Sequence, residues 1–471
     1  MENNYLESLG LKVYEESINR FGDSKVMMAC KDYEDYIVVV GDSSGFEGKN
    51  ISENGQSILL AEKTHANAKT LRKLFPFTAP TRGLGKKISI GLGDRLGEAT
   101  DGHIAAVRKH PDIFPVFAQQ SIRELKLTGR SYNDVLDSVS FSVFKNGYKS
   151  GYGADGDHLK TFDEIQYAID SGVSMITLDL SEQIHEDSKA YHSDVNLQSY
   201  IGKNVSLPCG HEIKITKEDT LKTCAIYGDA LEYIELVYKS FIENKNLDFE
   251  ISMDETATPT NPVHHYIIAC ELKNRGIEFQ SLALRFIGEF QKGIDYIGDL
   301  KAFEKELIIH EAIAEKFGYK LSIHSGSDKF SVFPIIGRVT KKHFHIKTAG
   351  TNWLEAVLLV AMKAPDFYRE MHEFALGAFE KATKYYVVTT DLTKIPPLSK
   401  LSDKELPDLM KNNDARQLMH ITYGEILCVK DENSHYIFRD RLFKILKRYH
   451  SDYSQLLEKH IGNHINALLS E

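Results

Sequence analysis

From residue 87 onwards the hydrophobic positions switch repeatedly between two periods. Short runs with every second position apolar have the period of a strand. Longer stretches with apolar residues three and four apart have the period of a helix. The strand-like runs are "KISIGLGDR", "FPVFAQQS", "YGADGDH", "MITLDLSE", "FEISMDET", "SLALRF", "KLSIHSGSD" and "FHIKTAG". Amphipathic helices follow most of them. Examples are "TFDEIQYAIDSG" and "NPVHHYIIACELKNRG", the latter with Pro262 in its first turn, where a missing N–H is tolerated. This alternation predicts an α/β protein whose parallel sheet closes into a (β/α)8 TIM-like barrel. Such barrels usually take about 250 residues. The span 87–363 fits with one insertion at 183–246, after the fourth strand, where "SYIGKNVSLPCGHEIKI" reads as a hairpin-like cap.

Residues 1–86 read as an N-terminal α/β extension, with a strand in "DYIVVVGDSSG" and a helix in "EKTHANAKTLRKLFPF" stopped at Pro76. Residues 364–471 read as a mainly helical C-terminal extension, interrupted at Pro396 and Pro397. The 471 residues are 42% hydrophobic, enough for a large core. With 57 basic and 67 acidic side chains, the net charge of −10 argues against nucleic acid or a membrane surface as partner. An anionic substrate then needs a local cluster of cations. The five cysteines are odd in number and scattered, so no disulfide framework is expected. The start, "MENNYLESLGLKVYEES", lacks the basic and apolar regions of a signal peptide. No run approaches eighteen consecutive apolar residues. The reading is a reduced, cytoplasmic protein, compatible with a homo-oligomer.

In a (β/α)8 barrel, catalytic groups sit at the C-terminal ends of the strands. Strand one ends in Asp94 and Arg95, and strand two in Gln120. Strand three ends in Asp157 and His158, and strand five in Asp254 and Glu255. The loop after strand six carries Gln291, Lys292 and Asp295. Strand seven runs into His324, Ser325, Ser327 and Lys329, and strand eight ends in Lys347. Polar groups around a whole rim suit a large polar substrate, so Asp94, Arg95, Gln120, Gln291, Lys292, Ser325, Ser327, Lys329 and Lys347 are candidate substrate contacts. His158 and His324 are candidate ligands for a divalent cation of the Mn, Zn, Ni or Co class. Asp295, or alternatively Gln291, would complete the set and leave open positions for substrate oxygens. Glu255 is a candidate acid/base, because burial in a barrel mouth pushes a carboxyl towards neutrality. Asp157 is a second candidate, or a carboxylate that orients its neighbour. Lys347 and Lys329 are the expected partners of a substrate anion. "GLGDRLG" has the wrong spacing for a dinucleotide loop.

Several long motifs resemble one family. "GLGDRLGEATDGHI", "FAQQSIREL", "GADGDHLKT", "SMDETATPTNP", "FQKGIDYIGD", "HSGSDKFSVFP", "HIKTAG" and the C-terminal "NNDARQLMHITYG" are similar to the tagaturonate epimerases of hexuronate catabolism. The resemblance implies inversion at C4 between D-tagaturonate and D-fructuronate, with a divalent metal. By motif it maps an acid/base pair to Asp157 and Glu255, and metal binding to His158, the strand-six loop and His324. A 2-ketohexuronate has its C4 hydroxyl β to the ketone, which suits retro-aldol cleavage and re-addition. The competing readings are a class II aldolase-like lyase, a 4-epimerase of uncharged ketohexoses, and a sugar-binding protein without turnover.

Overall fold

Eight strands close into a parallel barrel in the computed structural model of the protein, which describes residues 2–43, 45–51, 57–86, 88–187 and 197–470. They are β1 (Ile88–Leu92), β2 (Ile113–Ser121), β3 (Gly153–Leu159), β4 (Met175–Asp179), β5 (Asp248–Met253), β6 (Ser281–Leu284), β7 (Lys320–Ile323) and β8 (Phe344–Thr348). Each pairs with its sequence neighbours, and β8 closes on β1. Every expected strand is there. The expected barrel start, Lys87, lies outside the described residues.

Local chemistry explains the helices that separate them. Thr161 and Glu164 form a reciprocal capping box at the start of helix Phe162–Ser171, and Gly172 ends it at φ 97°, where a side chain would be strained. Asn261 caps helix Pro262–Asn274, which has its proline in the first turn as expected. Outward-facing strand residues such as Phe249, Ile251 and Met253 join the helices in the main apolar core.

The barrel interior departs from the usual layers of branched aliphatic side chains. It is filled by Ser89, Asp155, Thr177, Glu250, Ser281, Lys320, His345 and Lys347, all buried. They bond to one another, although His345 reaches Ser89 through Nδ1 at 2.8 Å and leaves its buried Nε2 without a hydrogen bond. Lys320 Nζ donates to Ser89 Oγ at 2.7 Å, Ser281 Oγ donates to Glu250 Oε2 at 2.5 Å, and Thr177 Oγ1 lies 3.0 Å from Asp155 Oδ1.

The stretch expected as an insertion after β4 includes the barrel's own crossover helix, Lys217–Val237, whose apolar face joins the main core. The addition proper is an antiparallel hairpin, Asn204–Ser206 with Glu212–Lys214, and the chain before it. Residues 188–196 of that stretch lie outside the described residues. N-terminal to the barrel, a six-stranded sheet includes Ser24–Lys31, Glu34–Val40 and Ile58–Ala61. C-terminal to it, helices between Pro365 and Leu469 form a second core with Trp353, Leu354 and Val357 of the last barrel helix. The segment Tyr385–Val387 crosses the C-terminal mouth of the barrel. Among the described residues no helix is long and apolar enough to cross a membrane, and all five cysteines are free thiols.

Candidate active site

A polar cavity opens at the C-terminal mouth. Its wall includes Gln119, Arg123, Asp157, His158, Asp254, Glu255, Lys292, His324, Ser325, Ser327 and Lys347. β3 builds one side. Strand alternation turns Asp155 and Asp157 inward, so His158 should point out. The register with β4 shifts here, from Ile176 opposite Gly156 to Leu178 opposite Leu159, and His158 takes a left-handed φ of 52°. That bulge turns two consecutive side chains, Asp157 and His158, into the same cavity. A histidine in this conformation is strained, as residues at functional sites often are. The same occurs at the end of β7, where Ser325 follows His324 at φ 52°. Gly326 comes next, and a side chain there would meet Ile346 at 2.4 Å.

The two histidine rings face each other edge-on, with centroids 4.9 Å apart. Asp254 completes the group: one ligand atom each from His158, Asp254 and His324 lie within 4.8 Å of one another. His324 Nε2 pairs with Glu250 Oε1 at 2.9 Å, which orients the ring. Its Nδ1 is buried and lies 3.0 Å from Asp254 Oδ1, yet no hydrogen bond is aligned between them. An imidazole nitrogen and a carboxylate oxygen that close in poor hydrogen-bond alignment are an arrangement a cation can fill. On the other side, His158 Nδ1 pairs with Asp179 Oδ2 at 3.2 Å. His158, Asp179 and Glu255 form a second converging group that shares this histidine. These residues fit a divalent cation.

Charge is tightly compensated beneath them. Lys347 Nζ donates to Asp155 Oδ2 at 2.8 Å, Asp157 Oδ1 at 2.7 Å and Thr177 Oγ1 at 2.6 Å, and lies 2.8 Å from Glu250 Oε1. Burial opposes the charge on Asp157, but Lys347 and His158 outweigh it and hold its carboxyl down to about 2. Burial likewise opposes protonation of His158, but Asp157 and Asp179 prevail and push it up to about 10. For Asp155 burial wins, and it is pushed up to about 6.

Of the residues expected from sequence, Asp157, His158, Glu255, Lys292, His324, Ser325, Ser327 and Lys347 meet on this cavity. Others do not. Asp295 is not brought to the histidines: its carboxylate accepts from Ser331 N and Oγ, and Asp254 stands in its place. Gln291, the alternative ligand, has its carbonyl occupied by Thr389 and Gln417, and so anchors the segment over the mouth. Lys329 is fully buried, with Nζ donating to the carbonyls of Gln291, Ile294 and Ser327 at 2.6–2.9 Å. It braces two loops and has no N–H left for a substrate. Lys347 lines the cavity, but its donors are spent on the groups below. Asp94 accepts from the backbone N–H of Leu96, Gly97 and Ala99, and Gln120 accepts from Arg130. Arg95 pairs with Glu124 at 2.7 Å beneath the ring of Tyr423. All three shape loops. Glu255 is exposed at the rim, so the burial expected to tune it is absent.

Sequence reasoning missed Asp254 as a ligand, Asp179 and Glu250 as the carboxylates that orient the histidines, and Arg123 on the cavity wall. Another cluster, Asp328 with His460 and His464, is a clamp. His464 Nε2 accepts from Asp328 N–H, and Arg416 pairs with Asp328 at 2.9 Å, which ties the last helix to the β7 loop.

A barrel mouth that gathers facing histidines, ionised carboxylates and cations around one polar cavity is built for chemistry on a small polar molecule, and the protein is accordingly a (β/α)8-barrel enzyme. The model of one enzyme family, tagaturonate epimerase, matches residues 14–468, and the chain belongs to that family. It is 40% identical over 477 residues to the tagaturonate/fructuronate epimerase of Thermotoga maritima, covering 98% of this chain and 97% of the other. Crystal structures of the fructuronate-tagaturonate epimerase of Cohnella laeviribosi, one native and one with glycerol, superpose with a TM-score of 0.93 at 44% identity, covering 99% of this chain and 98% of theirs.

Proposed function

We propose that this protein interconverts D-tagaturonate and D-fructuronate by inverting C4 through retro-aldol cleavage and re-addition. The observation that carries the reading is the convergence of His158, Asp254 and His324 on a cavity that also holds Asp157 and Glu255, in a chain of this family. The C4 hydrogen is not α to the ketone, so enolisation cannot invert C4. The O4 proton can be removed instead, and the C3–C4 electron pair then passes to C3 as an enediolate. The aldehyde left at C4 rotates and is attacked on its other face. A divalent cation held by His158, Asp254 and His324 would supply stabilisation of negative charge on substrate oxygens.

The chain's own residues do the rest. Asp157 is ionised, and Lys347 engages only one of its oxygens, so the other is free to accept a proton from inside the cavity. Glu255 works from the rim and handles the proton on the opposite side.

The test is labelled substrate. Tagaturonate carrying deuterium at C4 should yield fructuronate with the label retained, in ordinary water and without nicotinamide. Chelator-treated protein should lose turnover and regain it on addition of a divalent cation. Loss of the label to solvent would refute bond cleavage as the route, and net accumulation of two three-carbon fragments would identify a lyase. Glu255→Gln should slow epimerisation by about 100- to 10,000-fold, the usual worth of general acid–base catalysis, while metal content stays near normal.

A further inference from the structure

The cavity must hold an anion, yet the protein's net charge is −10 and most cations near the mouth are committed. Lys347 is spent on Asp155, Asp157 and Thr177. Lys329 is spent on three carbonyls, and Arg95 on Glu124. Lys160 serves Asp179 and Ser181. Two cations on the wall are left. Lys292 donates one N–H to Ser325 Oγ at 2.9 Å and keeps the others. Arg123, in the helix that follows β2, makes no hydrogen bond or ion pair among the described residues; its guanidinium lies 5.4 Å from the ring of Tyr386. Both side chains line the cavity beside Asp254, Glu255, His324 and Ser325. Burial lowers the affinity of Lys292 for its proton, and the positive charges of Arg123 and Arg95 lower it further. Glu124 and Glu255 act on both cations from the same wall, but among the described residues neither cation pairs with a carboxylate at contact distance, which leaves their donors open to an anion.

We infer that Arg123, with Lys292 beside it, binds the substrate carboxylate and sets the preference for a uronate over the uncharged ketohexose. The inference rests on the functional reading above and names the part of the substrate that the free cations recognise. Arginine suits the task because its planar fork meets a carboxylate through two parallel hydrogen bonds. Tyr386 offers its ring to the guanidinium and keeps the side chain over the cavity. The carboxylate belongs to the fragment that becomes an aldehyde at C4. Anchoring it lets that fragment rotate without leaving.

The experiment compares binding of D-tagaturonate and D-tagatose to metal-loaded protein by calorimetry, with each sugar first brought to epimeric equilibrium, so discrimination is read without net turnover. Arg123→Gln should weaken tagaturonate by about 10- to 150-fold, the worth of a hydrogen bond between charged groups, and leave tagatose little changed. Arg123→Lys should recover part of the loss. Equal weakening of both sugars, or no weakening of tagaturonate, would overturn the assignment. Wild-type protein that prefers tagaturonate through Arg123 but does not epimerise it would overturn the functional reading alone.

Discussion

Replacing His324 by alanine should abolish binding of the proposed divalent cation and lower epimerisation by about a thousandfold. A catalytic metal supplies several kcal/mol of charge stabilisation in the transition state, and about 1.4 kcal/mol is tenfold in rate. The fold should survive the loss. Glu250, which pairs with His324 Nε2 at 2.9 Å, keeps Lys347 at 2.8 Å and Ser281 at 2.5 Å, so no buried carboxylate is abandoned. Asp254→Asn should likewise lose metal, because its carboxylate converges on His324 Nδ1 at 3.0 Å without bonding it. Asp295→Ala is the informative contrast. Its carboxylate is taken up by Ser331, so that variant should keep full metal content. Metal bound per chain, measured by mass spectrometry alongside a melting curve, decides the matter. Retention of metal by the folded His324 variant, or its loss from the Asp295 variant, would return the site to the strand-six loop.

That contrast marks where the sequence stops being readable. The eight strands were legible because each sets short apolar alternation against a turn or a capped helix, and these signals are local. His158 and His324 were legible because the barrel rule singles out strand ends. Asp254 was within reach. On β5, Phe249, Ile251 and Met253 face the helices, so Glu250, Ser252 and Asp254 must face inward, and the period of two places Asp254 in the mouth ahead of Glu255. The bulge at His158 was not legible, because it depends on the register with β4.

The cations were hardest to read. A lysine is free or committed according to partners contributed by other strands. Lys329 finds three carbonyls of loop backbone, and Lys347 finds carboxylates from β3 and β5. Both looked like anion receptors from their place at strand ends, and both are braces. Arg123, inside "QQSIREL", reads as a solvated helix residue and is exposed; only the fold brings it to the cavity wall, 5.4 Å from the ring of Tyr386, which lies more than two hundred and fifty positions away. The hairpin between β4 and β5 was visible, but the helix after it belongs to the barrel, and length alone could not divide the two.

Lys347→Met should be the most destabilising single change in the barrel. The side chain is 4% exposed, and its ammonium neutralises Asp155, Asp157 and Glu250 together. Methionine matches the length of the stem, so little is lost in packing. What is lost is an ammonium that sits within 2.8 Å of all three carboxylates at once. Removing one partner of a buried ion pair typically costs about 3–5 kcal/mol, because the remaining charge is left uncompensated, and here several remain. The variant should therefore melt well below the wild type or fail to accumulate as folded protein. Its activity should fall further than its stability explains, since Lys347 fixes the position of Asp157 at 2.7 Å. The decisive measurement is the partial rescue. Glu250→Gln in the Lys347→Met background removes a stranded charge and keeps an acceptor for Ser281 Oγ. The double variant should be more stable than Lys347→Met alone, whereas Glu250→Gln in the wild-type background should destabilise. A Lys347→Met protein as stable as the wild type, or a double variant no better than the single, would show that charge compensation by Lys347 does not hold the barrel interior together.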